Sequence, residues 1–293
     1  MIKLAHKGFI ATVAAAFLFA LQGILFRYIG VDFGTFYPFV IRGILIVVVL
    51  ALVLSVTRNY KIIQKKDYAW FLLMPLSGIV SFVTFFIAVN NISVGNTLFL
   101  HYASFSITGF ILAHIMFHEN LSKLKLLSFT LSIIGLIFIF SIPDLQNDLF
   151  YLVLAFVSGI GSALWYLFSK KISGRYSYTQ IIIIDTGIVS VVCTILALRV
   201  GETFHPPSIS IEWFSVIAMT IVSLVTWVLI IYGYRHLEAH IASLILLLDV
   251  VFGLILALIL FAEIPSSQAL LGGILILSGV ALSNITSKKG VGG

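Results

Sequence analysis

Charged residues are scarce in this sequence. Of its 293 residues only 10% are Asp, Glu, Lys or Arg, whereas 61% are hydrophobic and the mean hydropathy is +1.17. A typical soluble domain is about 25% charged, and so few charges could not keep a protein surface hydrated. The scarcity excludes a water-soluble fold and makes the lipid bilayer the first expected partner.

Cysteine and phosphate-binding motifs are also lacking. The single cysteine, Cys193, excludes an intrachain disulfide and a cysteine metal site. No glycine-rich loop is followed by Lys and Ser or Thr, so we exclude an internal ATPase. The pairs His114/His118 and His236/His240 have a spacing that can bind a metal, but an interfacial helix face explains it better. We therefore predict no metal and no cofactor.

Long apolar runs fill most of the chain. A membrane-spanning helix needs about 20 apolar residues, and continuous runs of that length favour helices over the alternating strands of a barrel. The sequence predicts ten spans: Gly8–Ile29, Phe36–Val56, Tyr68–Asn90, Gly95–Phe117, Leu124–Ile142, Leu149–Ser169, Thr179–Arg199, Trp213–Gly233, His240–Ala262 and Gln268–Ser287.

Basic residues are concentrated in alternate loops. Such residues stay on the cytoplasmic side of a membrane, so we predict a multi-pass protein of the cytoplasmic, or inner, membrane with both termini inside. Insertion accounts for the net charge of +6, and we expect no nucleic-acid partner. The loops predicted to lie outside carry mainly acidic residues: Asp32, Asp144, Asp148, Glu202, Glu212 and Glu263.

The chain contains an internal repeat. A shift of 144 residues aligns Gly109–Gly135 with Gly253–Gly279 without a gap, and 12 of 27 positions are identical. Glu119 thereby matches Glu263. Each half has five spans, an odd number, so the second copy must be inverted in the membrane. We predict a first repeat at residues 1–144, a second at 145–289, and a tail or expression remnant at 290–293.

The repeated segments resemble a known family. The sequences FHENLSKLKLLSFTLSIIGL and FAEIPSSQALLGGILILSGVALS, the run ALWYLFSKKIS at Ala163–Ser173, and Arg42 early in span two are similar to the drug/metabolite transporter superfamily, in particular its ten-helix EamA-type family. The resemblance implies an all-α fold of two inverted five-helix repeats and a transport function. It does not imply a substrate.

Three charged residues lie well inside predicted spans, away from the span ends. A charge at the bilayer centre costs about 3 kcal/mol or more, so each is a functional candidate. Asp249 lies near the middle of span nine, Arg42 about two turns inside span two, and Asp185 near the inner end of span seven. We expect Arg42 and Asp185 to lie at different depths and not to pair directly. Asp249 suits a counter-ion for a cationic substrate or a proton carrier, and a structural contact is the alternative for each residue.

Further candidates are polar or aromatic residues within the spans. His101 lies on span four, one helical turn before Phe105. The 144-residue shift makes Phe105 the equivalent of Asp249 in the repeat. Aromatic residues deep in the spans could form walls for an organic cation, with plain helix packing as the alternative. The remaining predicted site residues are Tyr102, Trp165, Tyr166, Trp227 and Gln22.

These residues favour a secondary transporter over an enzyme. Two buried acids and one Arg suggest a small cationic or zwitterionic metabolite, such as an amine or amino acid, moved by alternating access with a proton as one candidate coupling ion. The alternative is an intramembrane enzyme with His101 and Asp249 as acid and base, although no activated nucleophile accompanies them. A non-transporting scaffold is disfavoured by the buried charges. The expected partners are a small-molecule substrate and lipid, and a homodimer is left open.

Overall fold

The described part of the chain is a bundle of eleven α-helices. The computed structural model describes residues 2–29, 33–140 and 149–290, and only the backbone at residues 2–3 and 284–290. No strand occurs in these ranges. The helices are α1 (Ile2–Ile29), α2 (Tyr37–Thr57), α3 (Tyr68–Val89), α4 (Val94–Phe117), α5 (Lys123–Phe140), α6 (Leu149–Ser173), α7 (Tyr178–Val200), α8 (Ile211–His236), α9 (Ala239–Leu246), α10 (Leu248–Phe261) and α11 (Ser267–Gly290).

The helices form the predicted ten spans. Nine stretches of the described chain are long and apolar enough to cross a membrane when α9 and α10 are counted together, and α11 adds the apolar stretch Ser267–Ser283. Large apolar side chains such as Leu52, Leu198 and Ile259 point outward, as lipid contact requires. The predicted all-α membrane fold is therefore confirmed.

Span nine differs from its prediction as one continuous helix. It is two helices, α9 and α10, and the regular hydrogen bonding is interrupted at Leu247. Its counterpart in the repeat, α4, is unbroken. All eight residues of α9 are buried, and Asp249 lies in the first turn of α10.

The two halves match in local detail. Both α4 and α10 end with a residue in the left-handed conformation, His118 (φ 53°) and Ala262 (φ 53°), which are 144 residues apart. The acidic residues Glu119 and Glu263 follow directly. The predicted boundary at residue 144 stays a prediction, because it lies outside the described residues, as do Asp32, Asp144, Asp148 and the tail from residue 291.

Contacts between helices follow the same two-fold relation. The first helix of each half packs into the other half: α1 against α8 and the α9–α10 span, and α6 against α3 and α4. The pairs α2–α7 and α5–α11 each join a helix to its own repeat counterpart. Five crossings separate the α4–α5 turn from the α10–α11 turn, so these turns lie at opposite membrane faces. We call them the Glu119 face and the Glu263 face.

Small residues allow the closest of these contacts. At the α5–α11 crossing, a Cβ at Gly135 would lie 2.7 Å from the carbonyl oxygen of Gly272, and a Cβ at Gly272 would lie 2.5 Å from that of Gly135. Both glycines are required because the two backbones touch, as is common in membrane helix pairs.

We expect Gly135→Ala to destabilise the protein by about 1–3 kcal/mol, because the added methyl forces α5 and α11 apart. Thermal unfolding of the purified protein in detergent measures the loss. The matched control is Gly187→Ala in α7, where a Cβ would meet no heavy atom within 4 Å. An equal loss of stability in both variants would show that the α5–α11 contact is not the cause.

Candidate functional site

A central cavity of about 310 Å³ lies between the two halves. Helices from both repeats contribute to its wall, including α2 and α3 from the first half and α6 and α7 from the second. Seven of the nine predicted site residues line it: Arg42, His101, Tyr102, Trp165, Tyr166, Asp185 and Trp227. Residues far apart in the sequence therefore meet in one space of a size suited to a small organic molecule.

The cavity extends toward the Glu263 face. Its wall includes Phe39, two residues after the start of α2, and Leu98, four residues after the start of α4, and both helices start at that face. Toward the Glu119 face its wall ends at residues such as Asp185, seven residues inside α7, and Tyr166, seven residues before the end of α6. About two turns of each helix thus separate the cavity from the Glu119 face.

Arg42 is held in the wall by aromatic rings. Its guanidinium carbon lies 4.4 Å from the ring centre of Phe39 and 5.1 Å from that of Trp227. Its Nη1 donates a long hydrogen bond of 3.4 Å to Ser223 Oγ. The Nε–H is buried and has no partner among the described residues. Stacking on rings leaves the guanidinium with donors available to an anionic group.

Asp185 lines the same cavity from α7. Its Oδ1 accepts a hydrogen bond of 2.9 Å from Trp165 Nε1, and the residue is 4% exposed. The described side chains of Asp185 and Arg42 form no salt bridge, as the sequence predicted, yet α2 and α7 pack together and present both charges to one space. A ligand with separated opposite charges could contact both.

Asp249 lines a neighbouring cavity. A smaller cavity of about 190 Å³ is lined by Asp249 and shares His101, Tyr102 and Tyr166 with the central cavity. Tyr102 donates a hydrogen bond of 2.8 Å to Asp249 Oδ2, while the buried Oδ1 has no partner in the described structure. An apolar cavity of about 300 Å³ between α1, α5 and α10 also reaches this carboxylate.

His101 and Gln22 hold other helices together. His101 is hydrogen-bonded through Nδ1 to Ser158 Oγ at 2.8 Å, which joins α4 to α6. Gln22 lines none of the three cavities. It accepts a hydrogen bond of 2.7 Å from Ser223 and donates one of 3.2 Å to Thr226, so it positions the hydroxyl that Arg42 contacts.

Comparison with known proteins decides the family. The sequence model described as the EamA-like transporter family matches this chain twice, at residues 6–141 and 149–285. The chain belongs to the EamA-like transporter family. A solved structure titled only "Crystal structure of protein" is similar in fold, with a TM-score of 0.72, 14% identity, and 97% of this chain and 98% of that chain covered. No curated protein matches the sequence.

This EamA-like transporter has a second polar cluster at the Glu119 face. Glu119 accepts hydrogen bonds from the backbone N–H groups of Ala239 (2.6 Å) and His240 (3.2 Å), which begin α9. It also contacts His240 Nδ1 at 2.6 Å and forms a salt bridge of 2.7 Å with Lys170 at the end of α6. One carboxylate therefore joins the α4–α5 turn to two other helices.

The electrostatics of Glu119 follow from these contacts. Burial, the largest single effect, would raise its pKa, but hydrogen bonds from His240 and Lys170 and the charge of Lys170 outweigh it and lower the pKa from 4.5 to about 2. Glu119 is therefore ionised at every physiological pH.

Two parts of the EamA-like architecture are missed by the sequence interpretation. The first is the aromatic wall of Phe39, Phe82 and Phe85, for which the sequence gives no signal because lipid-facing Phe residues look the same. The second is Lys170, whose position at a span end suggests a topology role alone. The alignment of Glu119 with Glu263 is the signal that could have drawn attention to this region.

We expect Trp165→Phe to destabilise the EamA-like fold by about 1–3 kcal/mol, because Asp185 loses its hydrogen-bond donor inside the bundle. The loss should be smaller in an Asp185→Asn background, where the group left unpaired is neutral. Thermal unfolding of the four proteins in this cycle gives the coupling. Trp70→Phe, which changes a Trp packed against Phe168, serves as the control, and zero coupling between Trp165 and Asp185 would contradict the assignment.

We also expect stability to fall as the pH drops from about 4.5 toward 2. A depressed carboxylate pKa adds stability that is fully present above the pKa of the unfolded chain and is lost as the pH falls through the folded value. Unfolding temperatures measured across this range should decline less in Glu119→Gln than in the natural sequence. Parallel declines would assign the acid sensitivity to other groups.

Proposed function

We propose that this EamA-like transporter moves a small cationic or zwitterionic metabolite, such as an amine or amino acid, by alternating access. The observation that carries the proposal is the presence of Arg42 and Asp185 in one cavity without a salt bridge between them. Buried charges that are not paired in a direct salt bridge are costly, and a zwitterion with its carboxylate at Arg42 and its ammonium at Asp185 would satisfy both.

The charge balance supports a cation or zwitterion over an anion. Asp185 and Asp249 line neighbouring cavities, and Arg42 lines the same cavity as Asp185. The rings of Phe39 and Trp227 already stack on Arg42, while Trp165 and Tyr166 offer further ring edges and faces. An apolar or aromatic substrate side chain would find contacts there.

Asp249 suits a role in coupling. Its Oδ2 is fixed by Tyr102, and its Oδ1 is free to take a proton or to contact a cation. The cavity at Asp249 shares the wall residues His101, Tyr102 and Tyr166 with the proposed substrate cavity. A proton bound at Asp249 and a substrate bound between Arg42 and Asp185 would then cross the membrane in the same cycle, which couples proton movement to substrate movement.

An intramembrane enzyme is less consistent with the contacts. His101 is engaged with Ser158 and Asp249 with Tyr102, so the two proposed acid–base groups do not contact each other. The family's transport function agrees with this reading.

We further propose that the Glu119 face is cytoplasmic. The described residues near this face include Lys61, Lys65, Lys66, Lys170, Lys171 and Arg235, which agrees with the positive-inside rule. The protein would then be a multi-pass protein of the cytoplasmic membrane with both termini inside, and the structure would represent a state in which the cavity extends toward the outside.

Transport is tested in proteoliposomes with labelled amino acids and amines. Candidates are first selected by thermal stabilisation, because a ligand that binds only the folded state raises its stability. We expect flux without chemical change, and a reduction of about tenfold or more in Arg42→Gln and Asp249→Asn, since a charge-assisted hydrogen bond contributes about 1.5–3 kcal/mol.

Controls for these variants make the same chemical changes away from the cavities, at the exposed Arg199 (Arg199→Gln) and at the half-buried Glu212 (Glu212→Gln). The pH dependence of flux should also change in Asp249→Asn. Unaltered flux with unaltered pH dependence in that variant would refute the role of Asp249, and a chemically modified product would favour the enzyme instead.

A further inference from the structure

The two acidic residues related by the repeat have different surroundings. Glu119 is buried with 8% exposure and contacts α6 and α9. Glu263 forms a salt bridge of 2.8 Å with Arg27, and both of these side chains are more than half exposed. Equivalent positions in an inverted repeat should exchange environments when the transporter exchanges its two states. The difference therefore marks which face is closed.

Glu119 caps the start of α9, because the residue that precedes this helix does not. The residue before α9, Glu238, provides no side-chain cap of its own. The carboxylate of Glu119 instead accepts from the first two N–H groups of the helix, where the positive end of the helix dipole favours a negative charge. Because α9 is fully buried and separated from α10 at Leu247, this cap fixes a short helix that lies between the cavity and the Glu119 face.

The repeat identifies the equivalent contact at the other face. The counterparts of Ala239 and His240 are Gly95 and Asn96, the second and third residues of α4. In the described state Asn96 N–H is capped by Ser93 at 3.2 Å, and Glu263 is bound to Arg27 rather than to α4. Arg27 is the counterpart of Lys171, adjacent to the position of Lys170.

We propose that Glu119 and Glu263 are alternating helix caps that hold the transporter closed at one face at a time. In the described state Glu119 caps α9 and joins it to Lys170, which closes the Glu119 face below the cavity. In the opposite state Glu263 caps the start of α4 and the Glu119 contacts are broken. This assignment rests on the proposed alternating-access function and names the residues that position its gates.

Release of the Glu119 cap would not occur by its protonation. Its pKa of about 2 keeps the carboxylate charged, so the contact must be exchanged through movement of the helices around the cavity. Substrate or a cation bound near Asp249, directly after the break at Leu247, is placed to transmit such movement to α9.

Distances between spin labels test the proposal without knowledge of the substrate. All proteins carry Cys193→Ala, and labels are attached at Lys123→Cys with Gly174→Cys for the Glu119 face, or at Val94→Cys with Ser267→Cys for the Glu263 face. These positions are exposed, and a Cβ at Gly174 meets no heavy atom within 4 Å. Pulsed electron resonance measures both pairs in lipid nanodiscs.

We expect Glu119→Gln to add longer distances at the Glu119 face and shorter distances at the Glu263 face. The double variant Glu119→Gln/Glu263→Gln should lose the shortening, because the second cap is then also missing. Should Glu119→Gln fail to fold, Lys170→Gln removes one contact of the same cluster and should shift the distances in the same directions by less.

Glu202→Gln is the matched control. Glu202 is also a loop carboxylate that accepts backbone N–H bonds at the start of another helix, from Tyr37 of α2 and from Thr35 and Phe36 just before it. It joins α2 and α7, which already pack together, so its variant should lose thermal stability without a shift in either distance.

Unchanged distances in Glu119→Gln, or equal shifts in Glu202→Gln, would overturn the alternating caps. Flux in proteoliposomes separates this result from a failure of the proposed function. If no solute is moved by the natural sequence, the transport proposal is wrong even where the distances shift, whereas normal flux in Glu119→Gln with unchanged distances rejects only the caps.

Discussion

The absence of water inside the bilayer is the constraint on which the structure depends. Every polar group in the bundle must find a protein partner or line a space that water or a ligand can enter. Buried hydroxyls such as Thr226 and Ser132 return their hydrogen bonds to the backbone of their own helices. Five buried side-chain atoms find no partner in the described structure, and two of them, Arg42 Nε and Asp249 Oδ1, belong to residues that line the cavities. At these two positions a bound solute could supply the missing hydrogen bond.

Inverted duplication explains how such a site is built from both halves of the chain. Because α1 packs into the second half and α6 into the first, neither half can move without sliding against the other. Backbone contact between Gly135 and Gly272 fixes the α5–α11 pair, while the break at Leu247 separates α9 from the rest of its span. The closely packed part of the repeat is therefore the α5–α11 pair, and the interrupted part is the α9–α10 span, whose counterpart α4 is continuous.

Hydropathy predicted the ten spans, and the identities at a shift of 144 residues predicted the repeat, but only particular features of the site could be predicted. The lengths of helices with charged ends were underestimated. Span six was predicted to end at Ser169, whereas α6 continues through Lys170 and Lys171 to Ser173. Long basic side chains can remain in a helix at the membrane interface, because their charged ends reach the water. The run around Asp249 is uniformly apolar and contains no signal for the interruption at Leu247. The sequence indicated that each buried charge is costly, but not which residue it contacts. Asp185 is bound by Trp165 and Asp249 by Tyr102. These pairings depend on how each helix is rotated about its axis, and helices that are apolar on all faces carry no signal for that rotation.

The divergence of the two halves has a stoichiometric consequence. A homodimer of identical five-helix units would place the same carboxylate at both related positions and would bear the insertion cost of about 3 kcal/mol twice. In a single fused chain the two halves can differ, so that Asp249 in the second half has Phe105 as its equivalent in the first. The Asp249 position therefore carries one carboxylate in each molecule, so the coupling role proposed for it would place a single proton or a single cation there.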